Sequence, residues 1–439
     1  MKALKVGMIS LGCNKNRVDS ETALGLLKAR GYEFTGDPAE ADVLMVNTCG
    51  FIESAKEESI DAILEMAQYK QKGNCKLLVV TGCLAQRYHD QLMEEMPEID
   101  VLMGVNQYAT LADAIDARLG GGQRRSYCAD DLSYFEHDRV LTTPEYTAYT
   151  RIGEGCSNRC TFCAIPLIRG DYRSRPEEKI LSEVTALAKQ GVKEHILVAQ
   201  DTTRWGTDWQ EHSALPDLMR KCAAIEGVDW LRVLYCYPDE TSEELLDVIA
   251  DTPNICKYLD LPIQHINDTL LRRMHRRGDS SDIRRVLKQS RERRLTLRTS
   301  IIVGFPGETE EQFSELLDFV REAEFDRLGA FTYSPEEDTP AARMPDQIPE
   351  EVKQERLDRL MTLQSEISKK RNQLRVGTVE KVLVTDRSED GFLLGRSHRE
   401  APETDGEIVF SGRGTVNIGD FVNVKLTQAD TYDLLGVMQ

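Results

Sequence analysis

From Ala148 onward the sequence repeats one unit, a short β-rich run followed by an amphipathic stretch. The runs are AYTRI, HILVAQ, WLRVLYC, KYLDLPI, LTLRTSIIVGF and RLGAFTYS, with helical patterns such as EEKILSEVTALAKQG and TEEQFSELLDFVREAEF between them. Strands alternating with helices of this length make βαβ units and a parallel sheet. Six units fall short of the eight of a closed TIM barrel, so the expectation is a partial, open (β/α)6 barrel. The first part of the chain alternates in the same way, with LKVGMIS, DVLMVN and KLLVVT as strands and SETALGLLKARG and ESAKEESIDAILEMAQYK as helices. It predicts an α/β domain with a doubly wound parallel sheet.

After Gly377 the texture changes to VEKVLVTD, GFLLGRS, GEIVFSG, DFVNVKLTQ and YDLLGVM. Hairpin-type turns stand at Glu389-Asp390-Gly391 and Thr404-Asp405-Gly406. Five short strands predict a small antiparallel β-barrel of the nucleic-acid-binding kind. The expected division is therefore 1–122 for the first sheet, 123–145 for a polar linker after Gly120-Gly121-Gly122, 146–375 for the partial barrel, and 376–439 for the small barrel. A hydrophobic share of 41% in 439 residues is enough to bury these cores. No run approaches the roughly 18 apolar residues of a membrane span, and MKALKVGMISLGC is a poor secretion signal. The expectation is a soluble cytoplasmic protein with no membrane partner.

Eleven cysteines in such a chain point to metal binding or catalysis rather than disulfides. Cys156, Cys160 and Cys163 form CSNRCTFC directly after the first barrel strand, at the strand end where α/β folds place active sites. Three thiolates so spaced can hold three corners of a 4Fe–4S cube and leave one iron open. Zinc is the alternative, but a structural zinc needs four closed ligands, and His195 and His265 are distant in sequence. Cys13, Cys49 and Cys83 each follow a predicted strand, in VGMISLGC, VLMVNTC and LLVVTGC. Parallel strands would bring all three to one edge of the first sheet. Three buried structural cysteines are the alternative. Cys75 precedes its strand, and Cys128, Cys222, Cys236 and Cys256 follow no pattern, so these are read as ordinary thiols.

The CxxxCxxC spacing, with Phe162 just before the third cysteine and a six-strand barrel behind it, resembles the radical S-adenosylmethionine (SAM) superfamily. The resemblance implies that the open iron is chelated by the amino and carboxylate groups of SAM, whose cleavage gives a 5′-deoxyadenosyl radical. Protein groups would then position and shield chemistry that belongs to the cofactor. Gln200 and Asp201, ending the second strand, and Gly304, Pro306 and Gly307 of IIVGFPGE are implied to contact SAM. For the last three, a plain strand-to-helix turn is the alternative. RGDYRSRP, Arg169 to Pro176, is read as a clamp at the cofactor end. With the second cysteine set and the small barrel included, nearly the whole chain resembles the methylthiotransferase family. That likeness implies a second 4Fe–4S cluster on Cys13, Cys49 and Cys83 that supplies sulfur, and SAM as both radical source and methyl donor.

Within that family, LGCNKNRVDSE, NTCGFIESAKEESI, TGCLAQRY, EGCSNRCTFCAIPLIRGDYRSRP, AQDTTRWG and YDLLG are similar to one branch. That branch modifies an aspartate of the S-twelve protein of the small ribosomal subunit. Asn14 departs from it, standing where many members carry Pro. Charge points the same way: 55 basic against 74 acidic residues give a net −19, and residues 378–439 hold eleven acidic and six basic. A module gripping tRNA should be basic, whereas an acidic one suits a basic ribosomal protein. Residues 271–298 run against this trend with eleven Lys/Arg to three Asp/Glu, either a solvated helical face or a phosphate contact. The expected reaction places a methylthio group on the β-carbon of the aspartate. It implies a flavodoxin or ferredoxin-type electron donor and a sulfur donor, without tRNA as a partner. The alternatives are the same chemistry on a tRNA adenosine, and a non-catalytic iron–sulfur RNA-binding module.

Overall fold

Alternate residues of a strand face opposite ways, and in VLMVNT both directions are buried. Val43 and Met45 pack with Ala23, Leu27, Leu111 and Ile115 on one side of the sheet. Leu44 and Val46 pack with Ile63, Met66, Leu92 and Met96 on the other. A strand apolar on both faces needs helices above and below, which is the doubly wound arrangement. A computed structural model describes residues 4–129, 136–412 and 415–439. The chain forms two compact units. The first comprises Met1–Pro144, Gly153–Arg175 and Ser334–Ala342, and the second Glu145–Ile152, Pro176–Tyr333 and Arg343–Gln439.

In the first unit, strands β1 (Lys5–Ser10), β2 (Glu33–Phe34), β3 (Val43–Thr48), β4 (Leu77–Gly82), β5 (Val101–Met103) and β6 (Arg125–Tyr127) form one sheet. All pairs are parallel, in the order β2-β1-β3-β4-β5-β6. The chain leaves β1 in both directions, so β1 and β3 flank the point where such folds open a crevice at the strand ends. The segment expected as a polar linker begins with β6, because RSY is too short and polar to read as a strand until β5 offers it an edge.

In the second unit, β7 (Thr147–Arg151) starts the central barrel. The chain then crosses a two-strand hairpin in the first unit, β8 (Gly153–Glu154) with β9 (Arg173–Ser174), before returning to it. The strands β10 (Glu194–Val198), β11 (Trp230–Val233), β12 (Tyr258–Asp260), β13 (Thr296–Val303) and β14 (Arg327–Thr332) follow. They form two parallel sheets, β11-β10-β7 and β12-β13-β14. The seam between them carries the bridge Leu231–Ile255 and a bond from the Cys236 amide to the Asp260 carbonyl at 2.9 Å. Six parallel strands in chain order make the open partial barrel.

The C-terminal strands are β15 (Val379–Arg387), β16 (Leu393–Ser397), β17 (Ile408–Ser411), β18 (Phe421–Ala429) and β19 (Leu434–Met438). They close as β15-β16-β17-β19-β18 around Val382, Val384, Ile408, Phe410, Val424 and Leu426. The expectation of a wholly antiparallel barrel is corrected at one seam, since β17 and β19 run parallel. The reason is topological: directions cannot alternate all the way around a closed ring with an odd number of strands.

This small barrel is fastened to the starts of the central strands. Glu194, the first residue of β10, takes Arg396 at 2.6 Å and Arg232 at 3.0 Å. Glu400 takes Arg327, the first residue of β14, at 3.1 Å and Arg375 at 2.5 Å. The Tyr258 hydroxyl, at the start of β12, donates to Asp405 at 2.6 Å. The basic run 271–298 is answered within the same unit, with Arg284 on Glu322, Arg291 on Asp326, Arg293 on Asp247 and Arg298 on Asp260. Of these pairs Arg284–Glu322 is exposed, while Asp260 and Asp326 are buried. No helix among the described residues is long and apolar enough to cross a membrane.

Candidate functional site

The strands β1, β3 and β4 lie side by side, and a cysteine follows the end of each. Cys13 caps the helix Asn14–Ala29, Cys49 precedes the helix Glu53–Ala67, and Cys83 begins the short helix Cys83–Arg87. The Cys49 backbone is held on both sides by Ser59, whose hydroxyl accepts from its amide and donates to its carbonyl, each at 3.0 Å. Gly12, at φ 86°, lets the first loop approach the second; a Cβ there would sit 3.2 Å from Cys49 Sγ. Gly82 has φ 98°, and a Cβ on it would lie 2.3 Å from Asn47 Oδ1 and 2.5 Å from the Thr48 carbonyl. Gly82→Ala should therefore destabilise the first unit by at least about 1–3 kcal/mol. Urea denaturation checks this, and a change under about 0.5 kcal/mol would remove Gly82 from the account.

The three thiols act on one another electrostatically. Burial pushes Cys83 up to about 12, against the pull of Arg169 and with the charges of Cys13 and Cys49 adding to the rise. Burial also raises Cys49, helped by Cys13. At Cys13 desolvation is outweighed by Lys15, Arg169 and the backbone amides of Asn16 and Lys15, so its thiol is lowered. A helix N-terminus and nearby cations favour a thiolate in this way. Among the described residues no three His, Cys, Asp or Glu side chains close on a point as one metal ion would require. A cube takes one thiolate at each separate corner, so its ligands stand apart.

Behind these cysteines lies a polar layer. Asn16 donates to the Leu11 and Thr48 carbonyls at 3.1 and 2.8 Å, and Asn47 donates to the Asn16 carbonyl and Ser20 Oγ, both at 2.7 Å. The bond to Leu11 closes the Cys13 loop on itself, and the other three join that segment to the end of β3 before Cys49. A polar stripe at Asn16, Asp19 and Ser20, at helical spacing on a face that must turn inward, is the sequence signal that would have found it.

CSNRCTFC is bracketed by β8 and β9. The Cys156 amide bonds the Gly170 carbonyl at 3.0 Å, and the Cys163 amide bonds the Cys160 carbonyl at 3.0 Å. Gly155 is at φ 74°, where a Cβ would strike the Asp171 carbonyl at 2.3 Å. Cys156 and Cys160 are buried, while Cys163 and Phe162 are half-buried. The Thr161 carbonyl accepts from the Ala341 amide at 2.9 Å, so the segment Ser334–Ala342 braces this loop. The same segment reaches the loop after Cys49, where Glu336 accepts from the Glu53 amide at 3.1 Å and pairs with Lys56 and Arg87.

Arg169 closes the helix Ile165–Arg169 and is fully buried. Its Nη1 donates to Glu154 at 2.8 Å, and its Nη2 to Asn16 Oδ1 at 2.7 Å, Asp19 at 2.8 Å and Cys83 Sγ at 3.4 Å. Burial would lower this guanidinium, but Cys83, Glu154, Asp19 and Cys13 raise it well above its ordinary value. Arg175 is held by Glu136 at 2.7 and 2.6 Å, and Arg173 donates to the Asp171 and Arg169 carbonyls. The string read as a cofactor clamp thus spends Arg169 on Cys83 and its neighbours, and Arg175 on a carboxylate.

In the second unit Gln200 and Asp201 follow β10. Asp201 is buried, accepts from the Thr203 hydroxyl at 2.5 Å and pairs with Arg204 at 3.5 Å. Burial, then the charges of Asp201 and Glu240, push nearby Asp239 up to about 6. Gly304, Pro306 and Gly307 turn the chain out of β13. A Cβ on Gly304 would meet Lys353, and one on Gly307 would meet Arg273. Glu308, which sequence reasoning passed over, locks this turn. It accepts from the Gly304 amide at 2.6 Å, Arg356 at 2.7 Å and His265 at 3.1 Å. His265 is thereby occupied, and His195 Nε2 faces the Val192 carbonyl at 3.2 Å.

Residues 5–104 match a family described as Uncharacterized protein family UPF0004, residues 150–320 the Radical SAM superfamily, and residues 376–438 the TRAM domain. A protein of Clostridium acetobutylicum named ribosomal protein uS12 methylthiotransferase RimO is 49% identical over 441 residues, covering 100% of this chain and 99% of its own. One of the same name from Desulforamulus reducens is 51% identical over 438 residues, 98% of each chain. Among solved structures, the radical SAM methyltransferase TsrM from Kitasatospora setae superposes with a TM-score of 0.58 at 15% identity. The match covers 78% of this chain and 74% of that one, and is a likeness of fold.

Proposed function

The chain belongs to the RimO family of ribosomal protein uS12 methylthiotransferases, and from that premise we propose how its residues divide the reaction. It is a radical SAM enzyme, and that family implies one 4Fe–4S cluster and SAM. The observation that carries the reading is the full-length match to relatives of that name. The acceptor is the β-carbon of one aspartate of uS12. Residues 1–122 present the sulfur, 146–375 generate the radical, 376–439 dock the substrate, and 123–145 link the first two.

Cys156, Cys160 and Cys163 hold the radical cluster, and Cys13, Cys49 and Cys83 hold a second one. Three soft thiolate donors in each set suit iron–sulfur ligation, and each set leaves one corner without a protein ligand. When bound, the first cluster with SAM supplies a 5′-deoxyadenosyl radical, the second supplies sulfur, and a further SAM supplies the methyl group. The hydrogen removed sits on an unactivated carbon, beyond the reach of a side-chain base of ordinary pKa. The protein's task is positioning and exclusion of water. Cys156, Cys160 and Cys83 are buried and so shielded from water, and Gly12 lets backbone come close to Cys49. Phe162, Gln200, Asp201, Gly304, Pro306 and Gly307 contact SAM.

The acidic surplus of 378–439 attracts a basic ribosomal protein and repels tRNA phosphates. A flavodoxin or ferredoxin-type reductant feeds the electron, a sulfur donor restores what each turnover consumes, and the work is done in the cytoplasm. The test is anaerobic reconstitution with uS12 or a peptide of its target loop. The peptide should gain the mass of one methylthio group in place of hydrogen. An unmodified peptide together with methylthio-adenosine in co-incubated tRNA would move the substrate to RNA.

A further inference from the structure

One side chain ties the two cysteine sets together. Arg169 follows CSNRCTFC in the chain, yet its Nη2 lies 3.4 Å from Cys83 Sγ. The opposite side of the same guanidinium grips Glu154, two residues before Cys156. Ile168 of the intervening helix and Ala164 just before it pack against Cys83 and Val105, so the contact is walled by apolar groups. We propose that Arg169 is a positioning residue that fixes the spacing of the two cluster-binding loops and steadies the Cys83 thiolate by a charge-assisted hydrogen bond. The proposal rests on the two-cluster reading above.

A buried guanidinium is costly unless its charge and donors are matched. Here Asp19 at 2.8 Å and Glu154 at 2.8 Å together outnumber its single charge. The group therefore offers Cys83 a directed N–H rather than a net positive field. Its planar fork holds donors in fixed directions, so Glu154 on one edge and Asn16, Asp19 and Cys83 on the other keep a set separation. A lysine ammonium carries charge but is a single point and spans only one of these edges. Hydrogen bonds to ligand sulfur stabilise the more negative, reduced form of an iron–sulfur cluster and raise its potential. Removing this donor lowers that potential. Removing the Asp19 charge beside it raises it.

The test uses the full chain, reconstituted without oxygen, as R169K and D19N. Each variant is also placed in a Cys156/Cys160/Cys163→Ala background, where the N-terminal cluster is read alone by electron paramagnetic resonance and redox titration. The expected result is a potential that falls in R169K and rises in D19N. In the intact chain R169K should still form deoxyadenosine but give about tenfold less methylthio product per deoxyadenosine, as a small misplacement of reacting groups does. A merely structural role would cost both variants stability without shifting potential in opposite senses. Unchanged potential and product ratio in R169K, or a shift of the same sign in both variants, overturns the proposal alone. If the triple-alanine background carries no cluster, the two-cluster reading falls and takes the proposal with it.

Discussion

Replacing Cys13, Cys49 and Cys83 together by Ala will leave reductive cleavage of SAM intact and abolish the methylthio product. Iron will fall from about eight to about four per chain. The substitutions cost the fold little. Cys13 caps its helix with no side-chain bond, so Ala loses nothing there. At position 83 Arg169 loses a 3.4 Å sulfur contact but keeps Glu154, Asn16 and Asp19. The loop carrying Cys156, Cys160 and Cys163 is closed by its own bonds, from Cys156 to Gly170 and from Cys163 to Cys160. Deoxyadenosine by chromatography, product by mass spectrometry and iron by colorimetry check the three expectations. A variant that still thiolates uS12, or binds as much iron as the parent, removes the N-terminal cysteines from the chemistry.

Glu194→Gln will cost about 3–5 kcal/mol and loosen the C-terminal barrel. Glu194 is fully buried between Arg232 and Arg396, and losing its charge strands two guanidinium groups out of water. The melting point should fall by roughly ten degrees, with protease cleavage near Gly377, where the helix Glu350–Gln373 hands over to β15. The effect has a pH signature. Burial acts to raise Glu194, but Arg396 and Arg232 outweigh it and hold the carboxyl down to about 2 against an ordinary 4.5. A depressed folded-state value means the stabilisation is complete above about 4.5 and fades as pH falls toward about 2. The stability gap between parent and variant should therefore be flat at neutral pH and close on acidification. A gap that persists at pH 2 would show that shape, not charge, holds the seam.

The alternation of strands and helices was readable because both periods are strong and local, so the central strands lie where AYTRI, HILVAQ and their successors put them. Adjacency of β1, β3 and β4 followed from the rule that consecutive parallel strands neighbour one another, which is why three scattered cysteines could be seen as one edge. The parallel seam β17–β19 was missed because strand pattern carries no direction. The destination of Arg169 was not legible either. Its partners Asn16 and Asp19 lie 153 and 150 residues away, and no local pattern says which way a loop arginine turns. Glu308 and Glu154 stayed hidden for the same reason, as carboxylates whose meaning comes only from the groups that surround them.

The brace from Ser334–Ala342 sets a schedule for biogenesis. Its Glu336 contact reaches back 283 residues to Glu53, beside the loop that carries Cys49. At a ribosomal pace of about 5–20 residues per second, the first sheet, complete at Tyr127, waits roughly ten to forty seconds after its own synthesis before Glu336 arrives. Through that interval Cys49 lies on a segment without its final tether, open to oxidants and to whatever delivers iron and sulfide. Assembly factors that act on the nascent chain would meet that loop before Glu336 fastens it, while those arriving after release would meet it fastened.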